Sequence, residues 1–147
     1  MNFTVKTFDN LTTSELYAIL QLRSEVFVVE QDCVYQDIDY KDQKALHVLG
    51  IKNNKLVAYA RLFDAGDYFN TPSIGRVIVK ESERAFGYGH DLIKMAKKAI
   101  VDNYKTAVIT ISAQTYLQKF YESHAFVQKG EGYLEDGIPH IKMICKE

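Results

Sequence analysis

Several familiar signals are missing from this chain of 147 residues, and each absence closes off a class of function. There are only two cysteines, Cys33 and Cys145, too few and too far apart for a disulfide framework or a metal-binding spacing. No apolar run approaches the roughly 20 residues that a membrane helix requires. The opening Met1-Asn2-Phe3-Thr4-Val5-Lys6 lacks the basic and apolar regions of a signal peptide. The formal net charge is −1 and the lysines are spread along the chain, so no basic field favours nucleic acid or an anionic membrane. No repeat, low-complexity tract or linker interrupts it. These absences point to one domain working in a reducing cytoplasm. What is present fits: 47% apolar and 25% charged residues are ordinary for a globular protein with a real core.

Local patterns predict strands alternating with helices. Residues 3–8 alternate apolar and polar, as a strand does. Thr12-x-x-Glu15 reads as a capping box opening a helix with Leu16, Ile19, Leu20 and Phe27 at helical spacing, which breaks near Glu30. Residues 31–43 are polar, with Asp32, Asp37, Asp39 and Asp42 among tyrosines, and read as a loop or a short irregular helix. Residues 45–51 and 55–63 form a hairpin turning at Asn53-Asn54. After a loop over 64–72 come a strand at 74–79, a helix over 88–101 and a buried strand at 107–112. A short helix follows at 115–123, then a strand at 126–129, a glycine-bearing loop over 130–139 and a last strand at 140–145. Such mixing over this length predicts one three-layer α/β domain.

The junction Arg84-Ala85-Phe86-Gly87-Tyr88-Gly89, between strand 74–79 and the helix starting near His90, carries the most chemistry. A helix N-terminus presents amides without internal partners and partial positive charge, which together suit a phosphate. Gly87 and Gly89 let the main chain approach an anion and take backbone angles closed to other residues. Arg84 adds a fork of donors. Two glycines beside a helix also occur as a plain connection. The two best-known phosphate motifs fail here. His90-Asp91 stand where a P-loop needs Lys-Ser/Thr, and Leu92 stands where a dinucleotide fingerprint needs its third glycine.

The order of these parts resembles the GNAT N-acetyltransferases. Strand residues Val77-Ile78-Val79 leading to Arg84-x-x-Gly87-x-Gly89 resemble that family's acetyl-CoA motif, and Ala113-Gln114 with Phe120-Tyr121-Glu122 resembles its second block. Leu22 to Gln31, Tyr35 to Asp39, His47 and Tyr133 to His140 are similar to the ElaA-like branch. The resemblance implies an α/β/α fold whose mixed, twisted sheet splays between two parallel strands, 74–79 and 107–112, with acetyl-CoA in the gap. It implies pantetheine pairing with main-chain groups along Val77, Ile78 and Val79, and a diphosphate on the amides of Arg84, Ala85, Phe86, Gly87, Tyr88, Gly89 and His90. The acetyl group would pass to a primary amine of a small molecule or peptide, without a metal, and homodimers are frequent in the family. There are departures: Ala113 stands where Asn is frequent, Ala125 where Gly is frequent, and Arg76 where many members carry a glutamate.

An alkylammonium must lose a proton before it can attack a thioester, and the departing thiolate benefits from an acid. The resemblance makes Tyr121 that acid; its plainer reading is a core aromatic, one of ten tyrosines. The base has no single candidate: Glu30, His47, Asp37, Asp39 and His140 all remain, although His47 lies in a strand where structural histidines are common. Glu30, His47 and Arg76 are expected to line the acceptor site. The acidic stretch reads either as an exposed loop or as an anionic rim that draws in a cationic amine. Two rival classes stay open: a non-catalytic acyl-CoA-binding or sensing module that kept the socket and lost the chemistry, and a protein-interaction domain, for which the glycine turn would have no purpose.

Overall fold

A computed structural model describes residues Met1–Glu147 and places eight strands in one sheet. In chain order these are β1 (Asn2–Thr7), β2 (Leu46–Lys52), β3 (Lys55–Phe63), β4 (Ser73–Val79), β5 (Ile109–Gln114), β6 (Val127–Gln128), β7 (Tyr133–Glu135) and β8 (Ile138–Cys145). Across the sheet they run β1-β2-β3-β4-β5-β8-β6, and β7 also pairs with β8. Every pair is antiparallel except β4 and β5. Three helices join them: α1 (Thr13–Arg23), α2 (Tyr88–Tyr104) and α3 (Gln118–Glu122).

The expected start of α1 holds in atomic detail. Thr12 Oγ1 accepts from the Glu15 amide at 3.0 Å, and Glu15 Oε1 accepts from the Thr12 amide at 2.8 Å. Past Arg23 the helix widens to π-type geometry over Ser24–Glu30. The β-branched and aromatic run Val26 to Val29 crowds an α-helical turn, which accounts for the break expected near Glu30. At the β2–β3 hairpin both turn asparagines have positive φ, 51° and 61°, the two-residue turn that matches strand twist.

Two layers of helix sandwich the sheet. On one face α2 buries Leu92, Ile93, Ala96, Ala99 and Ile100 against alternate residues Ala58, Ala60 and Leu62 of β3, in a cluster of 18 buried residues that also takes in Tyr121 and Phe126. A fully buried Leu or Ile contributes about 1.5–3 kcal/mol, so this face dominates stability. On the other face Ile19, Leu22 and Val26 meet Leu49, Tyr59 and Ile78 in a cluster of six. This is the α/β/α fold expected.

Some boundaries moved. The strand expected at 107–112 is β5, two residues later, because the Thr106 hydroxyl accepts from the Val108 amide and holds that stretch in a turn. Ala113 and Gln114 therefore belong to the strand. The expected loop 130–139 contains β7, and the turn to β8 is Asp136-Gly137, both with positive φ. Helix α2 runs on to Tyr104.

Candidate functional site

Strands β4 and β5 share one register pair, Ser73 with Thr110, and then diverge. The cause lies in β4. Tyr59 pairs with Ile78 and Arg61 with Gly75, so the residues between them on β4 exceed those on β3 by one, a β-bulge. Arg76 sits in that bulge with φ 49°. The extra residue bends β4 away from β5 and opens a cleft of about 540 Å³. Side chains of Val77 and Val79 pack toward the α2 core while Ile78 joins the α1 cluster, and all three residues line the cleft.

At one end of the cleft stands the glycine junction. Residues Glu81–Phe86 form a 3₁₀ turn, and Gly87, with φ 74°, reverses the chain into α2. No side chain caps the helix, so its first amides are free of that competition. The two glycines serve different ends. Gly87 takes the left-handed angle, whereas Gly89 does not; a Cβ on Gly89 would come within 3.4 Å of the Phe120 ring. The cleft wall takes Arg84, Gly87, Gly89 and His90, while Ala85, Phe86 and Tyr88 keep their side chains outside it. Lys52 Nζ lies over the Phe86 ring at 4.4 Å.

Arg84 is firmly placed. Its Nε donates to the Val79 carbonyl at 2.8 Å, and its two terminal nitrogens fork onto Glu30 at 2.8 and 2.9 Å. Glu30 therefore lines the cleft, with its carboxylate taken up by Arg84. His90 Nδ1 lies 2.9 Å from His124 Nε2, and both rings pack against Phe120. Burial, together with His90, Lys97 and Lys94, holds His124 below the usual imidazole value.

Tyr121 reaches the cleft from α3. Its ring is buried edge-on against Phe120 and Phe126, and the residue lines the cleft. Burial, with a smaller contribution from Tyr116, pushes the phenol well above its ordinary value, so it stays protonated and able to donate.

The opposite end is built from buried ions. Arg23 is fully buried; its Nε donates to Asp37 at 2.9 Å and a terminal nitrogen to Asp42 at 2.7 Å. Arg61 bonds both oxygens of Asp39 at 2.9 Å and Asp42 at 2.8 Å. Arg76 Nε donates to Asp37 at 2.8 Å. Burial works against the charge on Asp39, but the bonds and charge of Arg61 outweigh it and bring the carboxyl pKa to about 2. The acidic stretch is a loop that exposes residues such as Asp32 and Tyr40 but turns Asp37, Asp39 and Asp42 inward as the counter-ions of three arginines. No periodicity signals this, because the partners lie 14 to 39 residues apart.

His47 corrects an expectation. It is fully buried in β2, outside the cleft, with Nδ1 2.6 Å from the Tyr59 hydroxyl and Nε2 2.9 Å from the Asp42 carbonyl. Both nitrogens are committed, and burial holds the ring below its usual value, so it neither lines the acceptor site nor is free to accept a proton. Asp37 and Asp39 are likewise spent on arginines. Arg76 does line the cleft, with one guanidinium edge on Asp37. Glu135 and Ser112, which no sequence pattern singled out, line it beside His140; the Asp136-Gly137 dipeptide is the local signal for the hairpin that puts Glu135 there.

Comparison with known proteins agrees with this geometry. A family model described as an acetyltransferase (GNAT) domain matches residues 11–147. The protein ElaA of Escherichia coli is 46% identical over 135 residues, covering 90% of this chain and 88% of that protein. Its crystal structure superposes with a TM-score of 0.92 over 98% of each chain at 42% identity. The crystal structure of an acyl-CoA N-acyltransferase from Pseudomonas aeruginosa gives a TM-score of 0.92 over 99% of each chain at 41% identity. A parted pair of parallel strands, a glycine turn into an uncapped helix and likeness along almost the whole length agree: the chain belongs to the GNAT acetyltransferase family, in its ElaA-like branch.

Proposed function

We propose that this protein moves the acetyl group of acetyl-CoA directly onto a primary amine of a small molecule or peptide. The observation that carries the proposal is a single cleft holding the Gly87 turn, the unpaired stretch of β4 and the protonated Tyr121 hydroxyl. The diphosphate rests on amides from Arg84 to His90, with Arg84 as a charged donor. The pantetheine arm lies along Val77 and Val79 as an added strand in the gap left by β5. A main-chain N–H of β4 at the bulge donates to the carbonyl oxygen as negative charge develops there.

The amine nitrogen forms a bond to the thioester carbon, and collapse of the tetrahedral intermediate breaks the carbon–sulfur bond with its electrons going to sulfur. Of the two protons the ammonium gives up, one ends on the thiol and the other passes to solvent. Tyr121 donates to the leaving sulfur and is reprotonated in turn. No helix of the protein is long and apolar enough to cross a membrane, and no group of three or more His, Cys, Asp or Glu is arranged to hold a metal. We place the reaction in the cytoplasm.

The test is Tyr121→Phe. Turnover with the best amine of a screened panel should fall about 10²-fold while CoA binding by calorimetry is kept. Unchanged turnover would remove Tyr121 from the mechanism, and absence of any heat with CoA would end the acyltransferase reading.

A further inference from the structure

The cleft end opposite the glycine turn holds a cluster that the reaction above has not used. It is formed by His140 on β8, Glu135 on β7 and Ser112 on β5, all three lining the cleft. His140 Nδ1 is 2.7 Å from the Ile138 carbonyl oxygen. A carbonyl oxygen can only accept, so Nδ1 carries the hydrogen and Nε2 of the neutral ring keeps its lone pair. That nitrogen faces Glu135 Oε2 at 3.4 Å. A lone pair and a carboxylate oxygen, both acceptors, face each other at the edge of the cleft, and the arrangement is completed by a proton.

The neighbours hold this pair in place. The Tyr133 ring stacks on His140 with centroids 6.2 Å apart. Ser112 Oγ donates to Glu135 Oε1 at 3.3 Å and accepts from the Tyr133 hydroxyl. Tyr68, from the loop after β3, lines the same cleft, and burial followed by the charge of Glu135 raises its phenol pKa.

The remaining acids and bases of the cleft are otherwise engaged or peripheral. Glu30 is forked by Arg84, His90 is bonded through Nδ1 to His124 and stands at the start of α2 beside the glycine turn, and Asp136 is exposed on the β7–β8 turn. Glu135 is 40% exposed at its side chain and His140 8%, so the carboxylate meets solvent while the imidazole is sheltered.

We infer that Glu135 and His140 act together as the proton acceptor for the incoming ammonium and as the anionic group that recognises it; this rests on the acyl-transfer reading above. Glu135 draws the cation to the open edge, and His140 Nε2, polarised by the carboxylate, takes the proton as nitrogen attacks the thioester carbon. The proton leaves to solvent by way of the exposed Glu135. Because the recognising group is a carboxylate, the acceptor arrives as a cationic primary amine, and a neutral amide or a hydroxyl is a poor substitute.

The deciding experiment is a crystal structure with a conjugate of CoA and hexylamine joined through an acetyl linker, whose amide nitrogen stands for the attacking amine. The inference expects that nitrogen within about 3.2 Å of His140 Nε2 or a Glu135 oxygen, or one water away. A CoA moiety seated on the glycine turn with its nitrogen directed elsewhere overturns the inference and leaves acyl transfer standing. A CoA moiety outside the cleft overturns both. In kinetics, His140→Asn keeps a donor for Ile138 and removes Nε2, and Glu135→Gln keeps the shape without the charge. Each should lower kcat about 10²-fold on the amine turned over fastest, with CoA affinity held within about threefold. Full turnover in both overturns the inference. Should His140→Asn lose CoA binding as well, Glu135→Gln decides alone, because the core does not need its exposed side chain.

Discussion

The two faces of the sheet are built by opposite means. Under α2 the sheet is covered by hydrocarbon, and the part of the cleft supported there, the Gly87 turn, presents main chain. Under α1 a small apolar cluster is joined by Arg23, Arg61, Asp37, Asp42 and His47, all buried, and the part of the cleft supported there presents charged side chains. Apolar packing is non-directional and tolerates small changes of volume, so it suits a site that works through backbone shape. Buried ions are directional, and each leaves its partners uncompensated if removed, so they suit a site that must aim particular side chains such as Arg76.

Breaking the ionic face should have the largest effect. Arg23→Ala strips Asp37 and Asp42 of a buried partner and is expected to cost about 3–5 kcal/mol in urea unfolding, against about 1 kcal/mol for Ile93→Val on the apolar face. Equal costs would erase the contrast. Next comes Gly87→Glu, which strains a left-handed position and sets a negative charge at the helix N-terminus. CoA affinity by calorimetry should drop at least about 10²-fold with the fold retained by circular dichroism, and normal affinity would contradict the placement.

A smaller effect tests where the two faces meet. Glu30 extends from the end of the π-type segment after α1 to the arginine of the glycine junction, so Glu30→Gln should free Arg84 and raise CoA affinity roughly threefold, in keeping with the modest worth of part-exposed ion pairs. Weakened binding would instead make Glu30 a brace for Arg84. The slightest change belongs to the apolar face. Ala125 holds φ 68° where the family frequently has glycine, and Ala125→Gly should stabilise by about 0.5 kcal/mol once strain relief is set against chain entropy and lost contact. A loss of stability would mean that the methyl group matters more than the angle.

Features that depend on neighbours in sequence were legible. The Thr12–Glu15 box, the Asn53-Asn54 turn, the β4 pattern and the glycine junction each need only a few consecutive residues. Asp136-Gly137 is equally local, but inside a glycine-bearing stretch it reads as plain loop and conceals β7 and Glu135. The rest could not be read locally. The bulge at Arg76 has a local hint in Gly75 beside it, but the positive φ falls on the arginine and goes with its pairing to Asp37, which no neighbour in sequence signals. The fate of Asp37, Asp39 and Asp42 depended on guanidinium groups from α1, β3 and β4. His47 and His140 both lie on apolar-rich strands, and only the fold sends one into the core and the other to the cleft.

The order of residues alone settled the class of fold, the family and the place of the glycine turn into α2, because capping, turn chemistry and glycine backbone freedom act over one or two helical turns. The folded chain decided which charges are structural and which face the reaction. Burial and the distance to a partner determine whether a carboxylate or an imidazole is spent on a neighbour or left with a lone pair, and both exist only once the strands have come together.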